Sequence, residues 1–181
     1  MNIFYTSHCP VECAYDLPKV LNNKMIVEVA QILSTAHREL DGDVFADEVG
    51  LYRATHRNHP CAVFVRRSKV CYEWAHLHLE AMLERFEEYS GKSHKSGGVS
   101  KKLSNAPKNI SNTDCFEPAL AVPEYFKKIA QAKNVPTAYR AYLNTKFAEW
   151  NLRDKPIKTE WPEGKPNWVN FENYTTLVQH L

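Results

Sequence analysis

Apolar residues recur every three or four positions along most of the chain, and that spacing predicts a mainly α-helical protein. The clearest helix runs from Asp16, a suitable N-cap, through Pro18 in the first turn to Leu40, where Asp41-Gly42-Asp43 closes it. Ile26, Val29, Ala30, Leu33 and Ala36 share its apolar face, and His37 falls on that face as a hydrogen-bonded core residue. Residues 44–58 read as polar and turn-like. Pro60 opens a second helix, CAVFVRRS, which Ser68 interrupts or recaps. A long amphipathic helix follows from Lys69 to Tyr89, with Trp74, Leu77, Met82, Leu83 and Phe86 at helical spacing and Gly91 as its stop. Two further helices, Pro123–Lys133 and Pro136–Asn151, each begin with proline in the first turn.

Three stretches break the helical period. Asn2–Thr6 alternates apolar and polar around Ile3, Phe4 and Tyr5 and predicts a short strand, followed by a loop to Tyr15. Ser90–Pro118 is rich in Ser, Lys, Asn and Gly and reads as a long flexible loop. The last thirty residues set Pro156, Pro162 and Pro166 among Trp161, Trp168, Phe171 and Tyr174, an extended tail that packs back by its aromatics. No internal repeat is present. The expected architecture is a single-domain helical bundle with a short N-terminal strand and an irregular C-terminal tail. Residues 1–90 form its core, 91–118 the flexible loop, and 119–181 the C-terminal helices and tail.

Composition narrows the class. At 181 residues the chain suits one domain rather than two, and 44% hydrophobic with 24% charged residues is globular rather than disordered. With no run of about 18 apolar residues and no signal-peptide pattern, no membrane partner and a cytoplasmic setting are expected. A net charge of +2 does not by itself announce nucleic acid. Five cysteines, an odd number, point to reduced thiols, with Cys61 and Cys71 as small core residues. His8, Cys9 and Cys13 are the one grouping with metal-like spacing. They lack a second close pair, so the expectation is free thiols with no metal and no cofactor.

Candidate chemistry lies on the first long helix. Lys24, Glu28, Gln31, Thr35 and Arg38 fall within about 40° of one line. Ordinary solvated faces look the same, with Lys24 and Glu28 as an i,i+4 pair. The line continues backward through the apolar Leu21 and Leu17, however, so the stripe is expected to be partly covered. A partly covered glutamate is a candidate acid or base. A second cluster, Arg53, His56, Arg57, Asn58 and His59 before Pro60, with Arg66 a turn or two later, would suit a phosphate at a helix N-terminus. It reads equally well as a surface loop. The lysines at 92, 95, 101 and 102 read as a solvated loop.

Taken in order, K-x-x-x-E-x-x-Q-I-L (Lys24, Glu28, Gln31, Ile32, Leu33), then N-H-P-x-x-x-x-x-R (Asn58, His59, Pro60, Arg66), then an aromatic-bearing helix, resemble the pyrimidine-dimer DNA glycosylase (phage endonuclease V) family. The chain is also similar to tailed-phage proteins of uncharacterised role that begin MNIF and carry the T-H-x-N-H-P turn. The resemblance covers roughly residues 2–85. It implies that the Met1 α-amine attacks C1′ of a nucleotide, displaces the base and forms an imine, after which β-elimination nicks the strand. An α-amine keeps an appreciable neutral fraction at pH 7, unlike an unperturbed lysine. In this scheme Glu28 stabilises oxocarbenium-like charge and moves protons, while Lys24 and Gln31 orient it. The sequence departs from the family in its large Asn2, which would leave Met1 in place, in Leu21 where members carry a histidine, and in its low net charge.

Three functions follow as expectations. The first is a DNA-base N-glycosidase, with or without AP-lyase activity, acting on a damaged or modified nucleotide, with Arg53, His56, Arg57, Asn58, His59 and Arg66 on phosphates. The second is a phage accessory protein that binds or cleaves a small nucleotide. The third is a non-catalytic helical interaction module, for which the polar stripe should be fully solvated.

Overall fold

Two helices of 22 residues, α2 (Lys19–Leu40) and α5 (Lys69–Ser90), form the centre of the fold in the computed structural model, which describes residues 1–178. Around them lie α1 (Pro10–Tyr15), α3 (Asp43–Glu48), α4 (Pro60–Arg67), α6 (Gly97–Lys102), α7 (Glu124–Ala132), α8 (Val135–Asn151) and a final turn, α9 (Thr175–Val178). The apolar stripe of α2 is the core: Ile26, Val29, Ala30, Leu33 and Ala36 are fully buried against α4 and α5. His37 joins them, its Nε2 paired with the Tyr72 hydroxyl at 3.0 Å. Ser68 separates α4 from α5 and caps the latter, its Oγ accepting the Cys71 N–H. Gly91 ends α5 at φ 66°, a left-handed conformation that glycine adopts at little cost. Among the described residues no helix is long and apolar enough to cross a membrane.

The N-terminal segment corrects one expectation. Residues 2–6 form no strand, the Thr6 N–H turning back to the Phe4 carbonyl at 2.9 Å, and no strand occurs among the described residues. Alternation would bury one side of a strand, yet Ile3, Phe4 and Tyr5 are all buried in succession. Side chains of α2, α4, α5 and α8 and the loop that carries Phe116 and Ala121 pack against the segment. Side chains take most of its other backbone hydrogen bonds. The Asn2 N–H donates to Glu28 Oε2 at 3.0 Å, the Ile3 N–H to Cys61 Sγ at 3.3 Å, and Arg140 Nε donates to the Thr6 carbonyl at 2.9 Å.

Three short helices lie in stretches expected to be loop or turn. Pro10 at the first helical position starts α1, so Asp16 ends that helix and Pro18 occupies the N-cap of α2. The expected turn at 44–58 contains α3, entered through Gly42 at φ 91°. The 91–118 segment contains α6 and crosses the molecule with Leu103 and Ile110 buried. Asp41 accepts the Lys108 and Asn109 N–H groups, and the Leu103 carbonyl accepts from Tyr72. The tail packs by its aromatics as expected. Trp161 Nε1 donates to the Asp16 carbonyl, and its ring meets Phe147 edge-on. Residues 179–181 of that tail lie outside the described residues.

Arg85 ties three pieces together. It is fully buried, its Nη1 donates to the Ala14 and Leu17 carbonyls, and Nε and Nη2 form a fork on Glu163 at 3.0 and 2.9 Å. Removing the guanidinium strands the Leu17 carbonyl and the Glu163 carboxylate, and leaves the Ala14 carbonyl with the Leu17 N–H alone. Arg85→Met is therefore expected to cost about 3–5 kcal/mol in urea unfolding. Glu163→Gln should cost about 1 kcal/mol, because Glu163 is partly exposed and water already screens it.

His78 supplies a pH dependence. It stacks on Trp74, its Nδ1–H donates to the Pro10 carbonyl at 2.9 Å, and complete burial pushes its pKa down to about 4. The folded state thus refuses a proton that the unfolded chain accepts near pH 6.5. This contribution to stability is complete above about pH 6.5 and is lost as pH falls toward 4, by about 3 kcal/mol in all. Urea unfolding at pH 7 and pH 4.5 should show a smaller loss for His78→Gln than for the unmodified chain.

Candidate functional site

Glu28 stands near the middle of α2 with its side chain 14% exposed. The segment that threads the core ends beside it, so the Met1 amine lies 3.4 Å from Glu28 Oε2, the oxygen that also accepts the Asn2 N–H. Lys24, one turn earlier and largely exposed, places Nζ 3.5 Å from Oε1. Gln31, one turn later, is half-buried and makes no hydrogen bond to Glu28. Beyond the exposed Lys24 the stripe is covered. Thr35 Oγ1 accepts the Thr55 N–H at 3.1 Å. The Arg38 guanidinium is spent on the Tyr52 and Leu51 carbonyls and on Asp43 and Asp47.

Met1 is held from the second half of the chain as well. Asn2 Nδ2 donates to the Ala121 carbonyl at 2.9 Å. Tyr139, whose hydroxyl accepts the Ala121 N–H at 3.0 Å and donates to the Ala119 carbonyl at 2.8 Å, also lies 3.3 Å from Asn2 Oδ1. Burial keeps the Tyr139 phenol protonated far above neutrality, so it acts as a fixed hydrogen-bonding post. Burial likewise pushes the Cys61 thiol up to about 12, which removes it as a nucleophile despite its place beside Asn2.

Beside the Met1–Glu28 pair a cavity of about 300 Å³ opens between α2, α8 and the N-terminal segment. Phe4, Leu21, Met25, Tyr142 and Trp150 make its apolar walls, and Lys24, Glu28 and Lys146 its polar ones. Leu21 is thus a wall residue. Lys146 lies over the Tyr142 and Trp150 rings, 5.5 and 5.6 Å from their centroids. Tyr142, Lys146 and Trp150 were missed from the sequence. Their i, i+4, i+8 spacing puts them along one side of α8, the signal that would have marked them as a set.

The Asn58–Pro60 turn sits outside this cavity. His59 Nδ1 accepts the Cys61 N–H at 3.2 Å and so caps α4, taking one of the amides that an anion would use. Burial first, then the Met1 amine and His56, hold its pKa low against the opposing pull of Glu28, so its ring is neutral near pH 7. Arg57 pairs with Glu39 at 3.1 Å, and Arg66 donates to the Arg57 carbonyl. Arg53, His56 and Asn58 are exposed, with His56 at φ 47°. His8 faces the Tyr5 hydroxyl at 2.9 Å and Cys13 turns to the Ser7 backbone. Among the described residues no three His, Cys, Asp or Glu side chains are grouped to hold a metal.

No protein-family model, no curated protein and no solved structure matches this chain.

Tyr139→Phe keeps the ring and removes the post. It is expected to cost about 1–2 kcal/mol in urea unfolding and to speed amide exchange at Asn2 and Ala121. Unchanged exchange at both positions would show that the hydroxyl does not hold the N-terminal segment.

Proposed function

We propose that the chain is a DNA-base N-glycosidase, with or without AP-lyase activity, that acts on a damaged or modified nucleotide through Met1 and Glu28. The observation supporting this reading is the 3.4 Å contact between the Met1 amine and Glu28 at the wall of the 300 Å³ cavity. The neutral amine attacks C1′, the C1′–N bond breaks, and the base leaves with the electron pair and takes up a proton. The sugar ring opens and the bond to Met1 becomes an imine. Glu28 stabilises cationic character at C1′ and accepts protons, while Lys24 holds its far oxygen and Gln31 flanks it. For lyase action a base takes a 2′ proton and the C3′–O bond breaks. Arg53, His56, Arg57, Asn58, His59 and Arg66, outside the cavity, meet phosphates of flanking nucleotides.

A second reading keeps the pocket and drops the polymer: the chain binds or cleaves a small nucleotide. The cavity favours it, since about 300 Å³ is the lower end for ligand sites, and so does a net charge of only +2.

Incubation with abasic and ultraviolet-damaged duplexes plus borohydride tests the first reading. A covalent adduct at Met1 is expected. Amine acetylation should abolish it, and Glu28→Gln should slow cleavage about 10²–10⁴-fold. Folded protein giving neither adduct nor cleavage overturns it. Stabilisation by mono- or cyclic nucleotides in a thermal-shift screen, without DNA cleavage, would select the second.

A further inference from the structure

Lys146 is the one cation of the cavity wall without a carboxylate within ion-pair distance among the described residues. Lys24 and the Met1 amine both meet Glu28. Lys146 instead rests on two aromatic faces, half-buried. A lysine that only packed its stem would send its ammonium to open solvent. This one keeps its head over the rings that line the cavity. Burial lowers its pKa, Lys24 and Arg153 lower it further, and only Glu149 opposes them. Its positive form therefore lacks a counter-charge that an occupant can supply.

We infer that Lys146 binds the phosphate of the sugar phosphate or nucleotide that enters the cavity, with Tyr142 and Trp150 beside its sugar or base. The phosphate subsite next to the reacting carbon then lies on α8, in the second half of the chain, and not at the Asn58–Pro60 turn. This inference rests on the proposed Met1–Glu28 chemistry for the class of ligand, and on the cavity alone for the anion. Lys24, exposed at the rim, adds a second cation. The acid end, at Glu28, and the cationic end, at Lys146, give an occupant a fixed polarity: reactive carbon toward Met1, phosphate toward α8.

The test compares 2-deoxyribose 5-phosphate with 2-deoxyribose. Each is titrated with borohydride, and the site of the adduct is mapped by peptide mass. The phosphorylated sugar is expected to saturate Met1 at a concentration about tenfold or more below that of the plain sugar. Lys146→Met should erase the difference and Lys146→Arg should keep most of it. Equal saturation by both sugars overturns the inference and leaves the amine chemistry standing, as does an adduct on Lys146 itself alongside that on Met1. If neither sugar labels Met1, the amine chemistry fails and binding decides alone. A thermal shift with the phosphorylated sugar that Lys146→Met abolishes supports the subsite, and the absence of any such shift overturns it.

Discussion

A buried, irregular segment with no strand beside it imposes the constraint on which this structure turns. Residues 2–6 run through the core, and each backbone polar group there needs a partner that a sheet would otherwise provide. The partners come from everywhere: Glu28 on α2, Cys61 on α4, Arg140 on α8. The segment therefore joins the two halves of the chain, and its burial fixes where the Met1 amine lies. Glu28 has a structural task through Oε2 before any chemistry is asked of it. Such a carboxylate is held in place by the fold, which is the preorganisation that transition-state stabilisation requires.

The same constraint separates what was legible in the sequence from what was not. Apolar periodicity pointed to α2 and α5, whose buried faces repeat over about six turns, and prolines at their starts pointed to α4, α7 and α8. Helices of six residues, such as α1 and α3, are too short to show a period. The strand expected at Asn2–Thr6 came from local alternation, which cannot report that helices occupy both sides. The stripe was visible on α2, and its covering was foreshadowed by Leu17 and Leu21. The opposite wall was not visible, because Tyr142, Lys146 and Trp150 become a site only when α8 packs across from α2.

Covering bears on the choice among functions. A non-catalytic module calls for a solvated stripe, whereas Thr35 and Arg38 are enclosed by residues 43–55 and Glu28 by the N-terminal segment. The two ends of the stripe differ, however. At Arg38 each guanidinium nitrogen is committed to a carbonyl or an aspartate, an architectural use. At Glu28 the carboxylate borders empty volume. Only that end leaves room for a ligand.

A larger cleft of about 450 Å³ lies between α5 and α6, but Glu80, Glu84 and Glu87 line it against a single Lys101 and His94. Three carboxylates repel a phosphate-bearing ligand, so size alone does not choose the site. The smaller cavity has the opposite balance, with Lys24, Lys146 and the Met1 amine around one Glu28. Its walls come from both halves of the chain, so the first ninety residues supply most of it but do not complete it. The first half contributes the Met1 amine and Glu28. Residues 119–151 supply the aromatic wall, the unpaired lysine and, through Tyr139 and Ala121, the post that holds Asn2. The chemistry proposed for Met1 therefore calls on residues of α8 as much as on those of α2.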